Sequence, residues 1–168
     1  MDRVIAEFSG DSKSVCPSGH AGKMLWPRAR LSGYLVAMHF YYRTFARVAL
    51  LPYIGGTVIH VVRLICDVPI TDIPFAVDWF VVIIGGYAGL GLIVFRRKIP
   101  FNNSWDKTAY GLLVFHLNGS VILHSYILIV GNHDVLQIFP RWYSLLAVAY
   151  FVALGCYCLS LNRRLYFQ

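Results

Sequence analysis

A chain of 168 residues suffices for one domain, and 58% hydrophobic composition with a mean hydropathy of +0.60 stands well above the roughly 45–50% apolar share of soluble globular proteins. Only 14% of the residues are charged, and they collect in a few places, which leaves uncharged runs long enough to cross about 30 Å of hydrocarbon and argues against a water-soluble domain. The formal charge of +7 does not call for nucleic acid, because the basic residues flank apolar runs instead of forming one soluble basic face.

Residues 1–24 form a polar tail with acids at Asp2, Glu7 and Asp11 and no apolar core of a cleavable signal. The run from Cys16 to His20 lacks the second thiol of a haem-attachment motif and reads as a turn. Residues 25–47 combine Arg28, Arg30, Arg43 and Arg47 with Tyr34, His39, Tyr41 and Tyr42, the composition of an amphipathic helix lying in the headgroup region.

A four-helix transmembrane domain is predicted over 48–164. Its first span, about 48–66, contains Pro52 and Gly55–Gly56, which bend it, and ends near Arg63, placed to snorkel. A short acidic loop with Asp67 and Asp72 leads to the second span, about 76–95, where Gly85 and Gly89 make a G-x-x-x-G step that admits a close helix neighbour. After the basic loop of Arg96, Arg97, Lys98 and Lys107 comes the third span, about 108–131, and after it the fourth, about 142–161, closed by Arg163 and Arg164. Residues 165–168 match the tail of a viral-protease cleavage site and are set aside from the functional reading as a possible scar. The fold class is thus an all-α integral membrane protein, a four-helix bundle preceded by an interfacial helix.

Of the 15 Lys and Arg, all but Arg63 and Arg141 fall on one side of this arrangement. The positive-inside rule then puts both termini on the cytoplasmic or matrix-like side of a bacterial plasma membrane or a mitochondrial inner membrane. The four cysteines, Cys16, Cys66, Cys156 and Cys158, have neither disulfide-framework nor zinc spacing.

Chemistry is expected where ionisable groups enter the apolar spans. The third span carries His116, Asn118, Ser120 and His124, and His60 on the first span lies at the same depth as His124, roughly 10 Å below the outer end at 1.5 Å per residue. Two such imidazoles suit a b-type haem or a quinone, with Arg63 one turn beyond His60 available to an oxygen; the competing reading is that each histidine bonds a hydroxyl, a carbonyl or a partner helix. A second constellation, His60, Asp67, Asp72, Asp78, His133 and Asp134 on the outer face, has ligands suited to a divalent metal but no compact motif. Nucleotide and serine-nucleophile fingerprints are absent from the sequence.

The leading expectation is a small non-catalytic subunit of a membrane complex, meeting lipid and other subunits through Gly85, Gly89 and the tail. The alternatives are an electron-transfer anchor holding haem b or quinone through His60 and His124 or His116, and a metal-dependent membrane enzyme using the outer His/Asp cluster.

Overall fold

A computed structural model describes the backbone of residues 28–167 and the side chains of residues 43–167. The described residues are helical with no strand, and four helices are long and apolar enough to cross a membrane. They are α1 (Arg28–Cys66), α2 (Phe75–Val94), α3 (Ser104–Val130) and α4 (Tyr143–Tyr166). The 1–24 tail lies outside the described residues.

Two boundaries differ from the sequence reading. Residues 28–47 are not a separate element, since α1 runs unbroken from Arg28 to Cys66. No Pro or Gly interrupts 34–51, and Pro52 lies inside the helix without ending it. At the other end α4 continues through Tyr166: Leu165 is buried, and the Arg43 guanidinium lies 4.2 Å from the Tyr166 ring centroid. Those two residues of the 165–168 stretch are therefore packed as part of the fold.

Local signals account for the other ends. Asp67, just beyond α1, takes φ 54°, a left-handed position that Asp tolerates and that turns the chain away. The Asn103 side chain accepts the Asp106 N–H at 2.8 Å to cap α3. Gly131 at φ 71° stops α3, its N–H bonding the Ile127 carbonyl at 2.8 Å.

Packing runs α4 against α1, α1 against α2, and α2 against α3, while α3 and α4 meet chiefly through large side chains such as His116 on Tyr150 and Phe151. Small residues make the tight approaches. The Phe45 ring fills the space above Gly91, and Phe151 lies over Gly56. Gly85 and Gly89 face Val121 and Asn118 of α3, so the G-x-x-x-G step packs the chain's own helix.

The buried core, including Ala49, Tyr53, Leu113, Leu154 and Leu161, occupies the half of the bundle nearer the basic loop. Outward-facing side chains are apolar, as at Ile65, Phe115 and Ile129. The opposite half, toward the 67–74 and 131–142 loops and here termed the acidic end, contains a cavity.

Candidate functional site

The cavity measures about 160 Å³ and is lined by all four helices and both acidic-end loops. Pro52, Gly56 and His60 come from α1, Val81 and Gly85 from α2, His116, Ser120 and His124 from α3, and Tyr143 and Phe151 from α4. Sequence features explain why space remains here. Val81–Gly85 is a single π-helical turn, which widens α2 beside the cavity, and glycines at 55, 56 and 85 supply no side chains to fill it.

Each histidine on the wall is held by a different partner. Ser144, fully buried, bonds His60 Nδ1 at 3.0 Å and receives Arg63 Nη1 at 3.0 Å, while Arg63 Nη2 donates to the Phe139 carbonyl at 2.7 Å. Arg63 therefore turns inward to brace the 139–144 segment and does not line the cavity. Arg63 can only donate, and His60 Nδ1 is the one acceptor within reach of the buried Ser144 hydroxyl among the described residues, so the hydroxyl proton goes to His60 Nδ1. That assignment leaves the His60 proton on Nε2.

His124 is oriented the other way. Its Nδ1 lies 2.6 Å from Asp78 Oδ1, and His133 Nε2 lies 2.7 Å from Asp78 Oδ2. Asp78 is 0% exposed and His133 5%, the latter stacked on Phe75 at 4.3 Å. A carboxylate accepts only, so both facing ring nitrogens carry protons, and in the neutral ring His124 Nε2 keeps its lone pair. Burying a carboxylate this deeply is tolerable only with partners on its oxygens, which the two imidazoles provide.

His116 has no free ring nitrogen. Nδ1 meets the Tyr53 hydroxyl at 3.2 Å, Nε2 meets Ser120 Oγ at 3.3 Å, and Tyr53 passes its own proton to the Leu113 carbonyl at 3.3 Å. It is a wall, not a ligand donor. His60 Nε2 and His124 Nε2, by contrast, have no protein partner among the described residues and are not sealed from solvent-sized probes.

The structure thus brings His60, His116 and His124 to one cavity and, of the outer His/Asp residues, joins Asp78 to His133 while leaving Asp67, Asp72 and Asp134 apart. Asp67 pairs with Arg141 at 2.8 Å, Asp134 accepts from Asn132 and Gln137, and Asp72 forms part of a short turn. Among the described residues no three His, Cys, Asp or Glu gather as metal ligands. Of the two anchors, the sequence reading has Asp78 only as a member of the outer His/Asp cluster and misses Ser144. Asp78 lies three residues inside the start of the descending helix, about 4.5 Å in at 1.5 Å per residue, and so near the same end of the bundle as His124.

A second polar cluster ties the basic end together. Asp106 forms a two-pronged pair with Arg164, accepts the Tyr157 hydroxyl at 2.6 Å and the Asn102 N–H at 2.9 Å, and is almost fully buried. It joins the start of α3 to the end of α4 where the backbones themselves stay apart. Compared with protein-family models, with curated proteins and with solved structures, the chain matches none.

Proposed function

We propose that this chain is a multi-pass membrane protein that seats the head of a quinone-type lipid in the histidine-lined cavity, with both termini on the cytoplasmic or matrix-like side. The observation that carries the reading is that His60 and His124, each fixed through its Nδ1 and each with an Nε2 lacking a protein partner among the described residues, line one apolar cavity. Ligand sites have this form, mostly apolar walls with a few oriented polar groups.

Size discriminates between the two cofactors expected of these histidines. A cavity of about 160 Å³ is close to the ~150 Å³ space known to hold one benzene ring. A single six-membered head fits, while a porphyrin of four pyrroles does not. The isoprenoid tail of such a lipid would leave through the thinly packed α3–α4 side into hydrocarbon.

The role of a non-catalytic subunit is less well supported, because Gly85 and Gly89 are engaged inside the bundle. The test is mass spectrometry of the organic extract from protein purified in mild detergent, with a visible spectrum of the same sample. A redox-active ring lipid approaching one per chain, lost in folded His60→Ala and His124→Ala variants, is the expected result. Equal trace lipid in all three proteins contradicts it and favours the subunit role, and a Soret band contradicts the size argument.

A further inference from the structure

Resting on the quinone-head reading, we infer that the cavity selects the reduced, hydroxyl-bearing form of the ring over the oxidised dicarbonyl form. The basis is the donor and acceptor pattern that the anchors impose on the two free nitrogens.

Ser144 cannot leave its proton unplaced: it is fully buried, Arg63 fills one of its acceptor sites, and His60 Nδ1 is the acceptor within reach at 3.0 Å. His60 Nε2 therefore presents an N–H to the cavity. The Asp78 carboxylate, held on its far oxygen by His133 at 2.7 Å, requires a proton on His124 Nδ1. With His124 as the neutral ring, its Nε2 then presents a lone pair. One wall donates and the other accepts.

A ring with two carbonyl oxygens has acceptors only, and meets His60 well but sets oxygen against lone pair at His124. A ring with two hydroxyls satisfies both walls, since one oxygen accepts from His60 Nε2–H and the other hydroxyl donates to His124 Nε2. No bond is made or broken in this selection. Leaving one buried polar group unpaired weakens binding by about tenfold or more, the scale expected for the preference.

The experiment measures anaerobic retention of decylubiquinol and decylubiquinone by the immobilised full chain in mild detergent. The mono- and dimethyl ethers of the quinol serve as further probes. Expected are half-saturation for the quinol at about a tenth of the quinone concentration, retention of the monomethyl ether, which keeps one donor, and loss of the dimethyl ether, which has none. In Asp78→Asn the amide can donate to His124 Nδ1 and move the ring proton to Nε2, so the preference disappears or reverses, as when an amide replaces an orienting carboxylate elsewhere. Should that variant not fold, the ether series on the unaltered chain decides alone. Equal retention of all four probes overturns the inference and leaves the site standing, whereas retention of none by folded protein overturns the quinone-head reading with it.

Discussion

Replacing Asp106 by Ala removes one partner from the buried pair that joins α3 to α4. The carboxylate holds two Arg164 nitrogens, the Tyr157 hydroxyl and the Asn102 N–H, with side-chain exposures of 7% for Asp106 and 20% for Arg164. Adding about 1.5–3 kcal/mol per charge-assisted bond overshoots, because breaking one partner of a buried pair costs about 3–5 kcal/mol in total. Arg164 retains the Pro100 carbonyl at 3.2 Å and some solvent access, which favours the lower end. About 3 kcal/mol corresponds to a fall of roughly 6–12 °C in midpoint for a chain of this length. Thermal unfolding in detergent, followed by tryptophan fluorescence, measures it. The double variant Asp106→Ala/Arg164→Leu removes the orphaned cation and should recover at least half the loss. A single-variant shift below about 2 °C, or a double variant falling by the sum of both singles, refutes the argument.

Other expectations concern packing and topology. Gly91→Ala forces a methyl into the Phe45 ring and should lower the melting midpoint, whereas Gly119→Ala, with nothing near its added carbon, should leave it unchanged or raise it by a degree or two. The comparison fails if both variants behave alike. Cys66 is exposed at the acidic end, so in a variant retaining Cys66 alone a membrane-impermeant maleimide should react from the face opposite the termini. Labelling only from the side of the termini contradicts the proposed orientation.

Much of the fold is legible in hydropathy alone, because four apolar runs of membrane length, with Arg63 and Asp78 their only charged residues, leave little choice of element. The second and third helices start one to four residues before their predicted positions and end one residue short, at Val94 and Val130. What one-dimensional periodicity lacks is azimuth. Gly85 and Gly89 read as a docking face for another protein, yet the π turn at Val81–Gly85 and the arrangement of the helices set them against Val121 and Asn118. Residues 28–47 read as interfacial from four arginines, a composition that says nothing of whether the helix breaks before the span. Depth counting brought His60 and His124 to one level. It compared only the two helices running in the same direction, so Asp78 on the descending one reads as an outer acid and not as the partner of His124. Ser144 carries no sequence signal at all: a lone serine in an apolar helix acquires its role only when α4 packs on α1.

The central claim is that His60 Nε2 and His124 Nε2 face a ligand while His116 and His133 serve the protein. It is tested most directly by ¹⁵N-histidine NMR of the full chain in detergent, titrated anaerobically with decylubiquinol. The expected result is movement of the His60 and His124 Nε2 resonances to saturation, with both His116 nitrogens stationary. Unchanged resonances at His60 and His124 across the titration would contradict the claim.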